Sequence, residues 1–158
     1  MLFLVISVTT FVGIFMWFEI QNAHDDFGED IVIESNGQTI KNFSIDDLML
    51  NPGQSKDYMV NLVCKAEGTY SIILDFNEIK NGGLKNFVDV DVFVGESLIG
   101  TKTLDELLTD GQTLTFSVDL LGDKPVALKM VYKMSNEIKN EAQGTYADFD
   151  LKLTIEKE

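Results

Sequence analysis

The most regular feature of this sequence is an alternation of apolar and polar residues with a period of two, from about residue 30 onward. In one clear case Leu114, Phe116, Val118 and Leu120 alternate with threonine, serine and aspartate. Successive side chains of a strand point to opposite faces, so this pattern indicates a β-strand with one buried and one wet face. The same pattern predicts strands at residues 31–34, 39–45, 58–64, 70–76, 88–94, 114–120, 126–134 and 147–155.

Turn-forming residues separate the predicted strands. Asn36-Gly37 lies between the first two and is a strong signal for a two-residue hairpin. Asn51-Pro52-Gly53 and Asn81-Gly82-Gly83 mark further turns, and residues 104–108 are typical of a single helical turn. No long helical pattern separates the strands, which excludes a doubly wound α/β fold. We therefore expect residues 31–158 to form one all-β domain, an antiparallel β-sandwich of jelly-roll or immunoglobulin-like type.

The N-terminal segment differs from the rest of the chain. Residues 1–18 carry no charged side chain, and about 20 apolar residues suffice for a helix to cross a bilayer. We predict a hydrophobic helix at residues 1–20 that contacts a membrane at least transiently, followed by an acidic linker at residues 21–30. The helix has three possible fates: a cleaved signal, a retained anchor, or the core of a pilus-like filament. In a filament, its apolar side chains would mediate assembly, namely Leu2, Phe3, Val5, Ile6, Phe11, Ile14, Phe15 and Trp17.

Composition narrows the possible functions. The 158 residues carry 26 acidic and 12 basic side chains, all of the latter lysine, for a net charge of −14. Nucleic-acid binding draws on lysine and arginine to neutralise phosphates, so this balance argues against a nucleic-acid partner. A single cysteine and a single histidine exclude a disulfide framework, a thiolate zinc site and a multi-histidine metal site. We expect no cofactor.

Few residues suggest catalysis. Cys64 falls on the inward side of its predicted strand, where a buried, inert thiol is expected. His24, beside Asp25 and Asp26, is interpreted as a solvated linker residue rather than a weak metal ligand. Because no nucleophile and base can be paired from these residues, we expect a protein that is not an enzyme.

Two pairs of carboxylates stand two residues apart on predicted strands: Asp89 with Asp91, and Asp148 with Asp150. Each pair projects from one face and is a weak candidate for holding Ca²⁺, which takes oxygen ligands. We favour a second interpretation, in which these acids keep an outer face soluble and discourage edge pairing.

Several short segments, in sequence order, resemble the camelysin/TasA-type family of secreted biofilm-matrix proteins. They are residues 50–56 (LNPGQSK), 68–74 (GTYSIIL), 100–108 (GTKTLDELL), 131–134 (VYKM) and 136–144 (NEIKNEAQG). Together they lie within residues 50–156. The resemblance implies a jelly-roll-like sandwich, export from the cell, and fibres in which one subunit lends a strand to its neighbour.

This sequence departs from the family in two respects. It lacks the basic residues before the apolar segment and the Tyr-Ala-type cleavage site after it. The metallopeptidase activity described for some members is not carried over, because no zinc-binding motif is present.

The leading expectation is a non-enzymatic extracellular subunit, secreted or on the cell surface, that forms or decorates filaments or biofilm-matrix fibres with copies of itself. The alternative is a membrane-anchored binding module for a glycan, a peptide or Ca²⁺. In such a module, loops at one end of the sandwich would bind the ligand, with residues 77–86 or 135–145 as candidates.

Overall fold

The computed structural model describes residues 24–33, 38–109, 112–122 and 124–158, and for residues 24–29 it describes the backbone alone. These parts contain one short helix, α1 (Leu104–Leu107), and 3₁₀ turns at Leu84–Phe87 and Asn140–Ala142. They also contain nine strands: β1 (His24–Ile33), β2 (Gln38–Leu48), β3 (Ser55–Cys64), β4 (Gly68–Asn81), β5 (Val88–Val94), β6 (Ser97–Thr103), β7 (Thr113–Leu120), β8 (Val126–Met134) and β9 (Ala147–Lys157).

The strands form two sheets packed face to face. Sheet A has the order β1-β3-β8-β5-β6 and sheet B the order β2-β9-β4-β7. All pairs are antiparallel except β1 with β3, which is parallel. Strands β2 to β9 follow the order of a jelly roll, so the predicted β-sandwich is confirmed and its type is a jelly roll rather than an immunoglobulin fold.

The core lies between the two sheets and is filled by their inward side chains. Tyr132 of β8 is fully buried, and its ring centroid lies 5.6 Å from that of Tyr58 and 5.8 Å from that of Phe149 in the opposite sheet. Burying one such large side chain stabilises the fold by about 1.5–3 kcal/mol. Burial also raises the pKa of the Tyr132 phenol above its ordinary value. The rings of Tyr58, Tyr132 and Phe149 therefore pack together between the two sheets.

Many of the predicted elements are found where the alternation placed them. β5 and β8 cover the predicted residues 88–94 and 126–134, and α1 occupies the predicted helical turn. α1 begins with a capping box, in which Thr103 Oγ1 accepts a hydrogen bond from the Glu106 amide and Glu106 accepts one from the Thr103 amide.

The hairpin predicted around Asn36-Gly37 is wrong. Residues 34–37 lie outside the described residues, but β1 pairs with β3 in sheet A whereas β2 pairs with β9 in sheet B. The connection therefore crosses from one sheet to the other. Period-two alternation shows which side chains point inward, but it does not show which strand is the neighbour.

The predicted acidic linker at residues 21–30 also differs from the structure. From His24 onward the backbone belongs to β1 and pairs in parallel with residues 57–64 of β3. Acidic residues are compatible with a strand at this position because β1 is the edge of sheet A.

Strand β6 was not predicted from the sequence. Its residues are exposed or half-buried, so they show no alternation of apolar and polar positions. It is held through backbone pairing with β5. The sequence signal is weak because β6 contributes no buried side chain to the core.

The predicted N-terminal helix and its assembly residues, from Leu2 to Trp17, lie outside the described residues. In the part of the chain that the structure describes, no helix has the length and apolar character needed to cross a membrane.

Candidate binding site

A polar cleft of about 400 Å³ opens at one end of the sandwich, on the outer side of sheet A. This end, called the cleft end below, carries the chain connections at residues 49–54, 82–87 and 135–146. The cleft is lined by Gly53, Gln54, Ser55, Asp89, Lys133, Met134, Ser135 and Asn136.

One wall of the cleft is the turn that precedes β3. Pro52 and Gly53 are its central residues, Gly53 has a φ of +79°, and the Gln54 amide donates to the Asn51 carbonyl at 2.9 Å. These features define a type II turn, in which the positive φ favours glycine. Gly53 N–H donates to Met134 O and Met134 N–H donates to Gln54 O, both at 3.0 Å, so the turn is fixed to β8.

The side chain of Gln54 is held in place by this turn. Its Oε1 accepts hydrogen bonds from the backbone amide of Asn51 at 2.9 Å and from Asn51 Nδ2 at 3.1 Å. Because Oε1 is occupied, the amide NH₂ group is the part of Gln54 best suited to face a ligand.

The floor of the cleft is a row of three polar side chains from neighbouring strands. Lys133 of β8 lies opposite Ser55 of β3 on one side and opposite Asp89 of β5 on the other. Side chains directly opposite one another on one face of a sheet have Cβ atoms about 4.5–5.5 Å apart. The row therefore brings a hydroxyl, an ammonium and a carboxylate group together.

Lys133 is oriented by Asp91, the buried carboxylate of the next row. Lys133 Nζ forms an ion pair with Asp91 Oδ2, and Thr101 Oγ1 donates to Asp91 Oδ1 at 2.6 Å. Burial by itself raises the pKa of Asp91, but the bonds from Lys133 and Thr101 outweigh it and lower the pKa below its ordinary value. Asp91 is thus an ionised group that positions Lys133.

The opposite wall is the start of the connection between β8 and β9. Asn136 approaches the Gly53 backbone so closely that a Cβ at Gly53 would lie 3.4 Å from the Asn136 Cβ. Ser135 Oγ accepts a hydrogen bond from the Glu137 amide at 3.2 Å. Asn136 therefore lies next to the turn at Gly53, and the bond to Ser135 fixes the first residues of the connection.

The second pair of carboxylates lies far from this cleft. Asp148 and Asp150 project from the outer face of sheet B, whereas Asp89 and Asp91 project from the outer face of sheet A. The four acids therefore do not form one site. Among the described side chains, no group of three or more His, Cys, Asp or Glu could hold a metal ion.

Both acids on sheet B have protein partners. Asp148 Oδ1 accepts from the Asp47 amide at 2.8 Å, and its Oδ2 lies 3.7 Å from Lys80 Nζ. Asp150 accepts a hydrogen bond from Ser44 Oγ at 2.6 Å. Asp47, at the register shift of β2, has a φ of +51°, so the bond to Asp148 stabilises a backbone conformation that an L-residue seldom adopts.

The other candidates from the sequence have separate positions. Cys64 is fully buried, as predicted, at the last residue of β3 and away from the cleft. His24 is the first residue of β1, and its side chain lies outside the description. Of the two loop candidates, residues 135–145 contribute Ser135 and Asn136 to the cleft, whereas residues 77–86 contribute none of its lining residues.

Sequence reasoning missed Gln54, Ser55 and Lys133 as cleft residues. The sequence did contain one indication of these residues, because each is polar and lies near a turn at the cleft end. What the sequence lacks is the order β3-β8-β5, which alone brings Ser55, Lys133 and Asp89 together.

The sequence matches no protein-family model and no curated protein. Among solved structures, the chain is similar to a family 35 carbohydrate binding module from an environmental isolate, with 18% identity, a TM-score of 0.41 and coverage of 71% of this chain and 75% of that one. It is also similar to a periplasmic inhibitor of g-type lysozyme from Aeromonas hydrophila, with 10% identity, a TM-score of 0.38 and coverage of 85% and 100%.

A third similar structure is the CBM36-1 domain of a multidomain xylanase from the hindgut metagenome of Trinervitermes trinervoides. It shares 14% identity with a TM-score of 0.38, over 77% of this chain and 98% of that one. Similarities at this level carry no conclusion about function, which must be argued from the cleft itself.

Proposed function

We propose that this chain is a non-enzymatic binding module, secreted or on the cell surface, whose cleft binds a short stretch of glycan. The observation that carries the proposal is the row Ser55–Lys133–Asp89 beside the turn-held Gln54. This arrangement supports the alternative function inferred from the sequence, that of a binding module. The other ligand classes considered there, a peptide or Ca²⁺, find less support in it.

The chemistry of the cleft suits a ligand rich in hydroxyl groups. A sugar hydroxyl both donates and accepts hydrogen bonds, and the cleft offers the donors of Lys133 and Gln54 next to the acceptors of Asp89 and Asn136. A volume of about 400 Å³ is within the range of sites for small molecules. Because the turn and β8 already fix the polar groups, little conformational entropy is lost on binding.

A binding role is favoured over catalysis by the environment of the same groups. Asp89 is exposed and is the one carboxylate among the residues that line the cleft, whereas glycoside hydrolysis uses a pair of carboxylates. Lys133 is ion-paired with Asp91, which makes it a hydrogen-bond donor rather than a nucleophile.

Calorimetric titration of the full chain tests the proposal, with soluble oligosaccharides of xylose, glucose, mannose and N-acetylglucosamine as probes. We expect at least one series to bind, and Asp89→Asn or Asn136→Ala to weaken that binding by about tenfold or more. Asp75→Asn, on the outer face of sheet B, is the matched control and should leave affinity unchanged. Lack of binding to all four series, or equal loss in the Asp75 variant, would overturn the proposal.

A second candidate function is the filament or matrix subunit, and one observation favours it. β1 is an edge strand whose pairing, in the described residues, is with β3 alone, and only residues 19–23 separate it in sequence from the apolar segment at residues 1–18. Such a strand is suited to exchange between neighbouring subunits. Electron microscopy of the full chain should then show fibres, and fibres that persist after deletion of residues 1–20 would favour strand exchange over a helix core. Particles that stay monomeric in every ionic condition would contradict assembly.

A further inference from the structure

The two charged groups of the cleft differ in whether their charge is already neutralised. Lys133 is the one lysine and Asp89 the one carboxylate among the described residues that line it. The ammonium group of Lys133 forms an ion pair with Asp91, which is buried in the next row of sheet A and does not itself line the cleft. The positive charge of the floor is therefore neutralised by a group outside the cleft.

Asp89 is the exposed member of this group of charges. Its neighbours in the row are Lys133 of β8 and Thr103 of β6, and the next residue on the same face of β5 is Asp91. Two aspartates thus share one lysine, which leaves the three side chains with a net charge of −1. Because Asp91 is buried, a ligand in the cleft meets that negative charge at Asp89.

Two lysines of neighbouring elements are held by other groups. On the same face of sheet A, the Nζ atom of Lys129 lies 5.0 Å from the centroid of the Phe93 ring. At the cleft end, Lys85 Nζ lies 2.8 Å from Glu78 Oε2 and 3.4 Å from Asp105 Oδ1. Neither lysine lines the cleft, so neither adds a positive charge to it.

Acidic residues also outnumber basic ones around the cleft. Asp57 of β3 lies in the same row of sheet A as Asp91. The connection that forms the opposite wall carries Glu137, Lys139 and Glu141, and the whole chain has a net charge of −14. A cleft lined by one sign of charge concentrates ligands of the opposite sign. The surroundings of this cleft therefore attract cationic ligands and repel anionic ones.

We propose that the cleft binds glycans that carry free amino groups, and that the Asp89 carboxylate accepts a hydrogen bond from the ammonium group of one sugar unit. This inference rests on the proposed glycan-binding function and adds the charge of the ligand to it. The sugar hydroxyls accept from Lys133 and Gln54, while the ammonium group makes a charge-assisted bond, which is stronger than a neutral one. A uronic acid would bring its carboxylate close to Asp89, and the one lysine of the cleft is already paired.

Calorimetric titration of the full chain with three tetrasaccharides tests this inference, namely the tetramers of glucosamine, N-acetylglucosamine and galacturonic acid. A pH of about 5.5 keeps the glucosamine amines protonated, and about 0.02 M NaCl keeps screening low. We expect the glucosamine tetramer to bind about fivefold or more tighter than the N-acetylglucosamine tetramer, and the galacturonic acid tetramer to bind more weakly than both. At about 0.3 M NaCl the first ratio should shrink, because salt screens the attraction.

Asp89→Asn is the variant that tests the assigned residue, because it removes the charge and keeps the shape of the side chain. It should bring the affinities for the glucosamine and N-acetylglucosamine tetramers to within about twofold of each other. Asp75→Asn is the matched control, since it makes the same change in net charge on the outer face of sheet B and should leave the ratio unchanged. Circular dichroism verifies that both variants are folded.

The outcomes separate this inference from the function on which it rests. Equal binding of the glucosamine and N-acetylglucosamine tetramers, tightest binding of the galacturonic acid tetramer, or a preference that survives in Asp89→Asn would overturn the inference alone. Equal loss of the preference in Asp75→Asn would assign it to the net charge of the chain and overturn it as well. Absence of binding to all three tetramers overturns the inference, and it overturns the glycan-binding function too if the xylose, glucose and mannose series also fail to bind.

Discussion

The ring of Tyr146 occupies the position that a side chain at Gly82 would take. A Cβ built on Gly82 would lie 2.3 Å from Tyr146 Cδ1 and 2.8 Å from its Cγ. The Gly82 amide also donates to the Tyr146 carbonyl at 2.9 Å. Gly82 and Tyr146 lie where β4 ends and β9 is about to begin, so this contact holds together two connections at the cleft end.

Gly82→Ala is expected to destabilise the protein by about 1–3 kcal/mol, because the tyrosine ring must move to admit the methyl group. Gly100→Ala is the control: nothing lies within 4 Å of a Cβ at that position, and its effect should stay within about 0.5 kcal/mol. Denaturant unfolding measures both. In the double variant Gly82→Ala/Tyr146→Ala the clash is absent, so its cost should be less than the sum of the two single changes.

Asp91 is expected to make the free energy of unfolding depend on pH. Its folded-state pKa is lowered, so the ionised carboxylate stabilises the fold above the ordinary value of 3.8, and this contribution is lost as the pH falls through the folded pKa. The difference in unfolding free energy between wild type and Asp91→Asn should therefore be largest near neutral pH, about 1–3 kcal/mol, and should shrink in acid. Urea unfolding at a series of pH values measures it. A difference that grows in acid would contradict the assignment of Lys133 as the partner.

Cys64 should be unreactive until the fold opens. It is the sole cysteine and is 0% exposed, so a thiol reagent such as DTNB should modify it slowly in buffer and rapidly in denaturant. Adding a surface cysteine in Ser117→Cys should give one promptly reacting thiol, because Ser117 is exposed. Immediate reaction of the wild-type protein would show that β3 is not packed as described.

Two leucines at opposite extremes of exposure test the core. Leu74 of β4 is 0% exposed and Leu98 of β6 is 53% exposed. Leu74→Ala should cost about 2–5 kcal/mol through lost burial and the cavity it leaves, whereas Leu98→Ala should cost under about 1 kcal/mol. Thermal and denaturant unfolding compare them. Similar losses in both variants would contradict the packing of sheet B.

The sequence predicted which residues form strands and face the core better than it predicted which strands pair with each other. Alternation located strands such as β5 and β8 because each buries every second side chain, and Cys64 was placed correctly on an inward position. It failed for β6, which buries little, and for the hairpin at Asn36-Gly37, since alternation is the same for either sheet.

The candidate site was harder to predict for the same physical reason. Asp89 and Asp91 were singled out together, yet Asp91 proves to be a buried partner of Lys133 while Asp89 lies in the cleft. Their different roles depend on which residues of β6 and β8 stand opposite them. Such neighbours are distant in sequence, and no local pattern encodes them.

The parallel pairing of β1 with β3 determines which end of the chain is better suited for attaching the protein to a reporter or a solid support. His24 pairs with Asp57 near the start of β3, so chain preceding β1 leaves from the cleft end, whereas Lys157 pairs with Tyr70 at the opposite end. A reporter or solid support fused after Glu158 therefore leaves the cleft unobstructed. One attached directly to His24 would instead start from the cleft end, and binding assays on immobilised protein should be oriented accordingly.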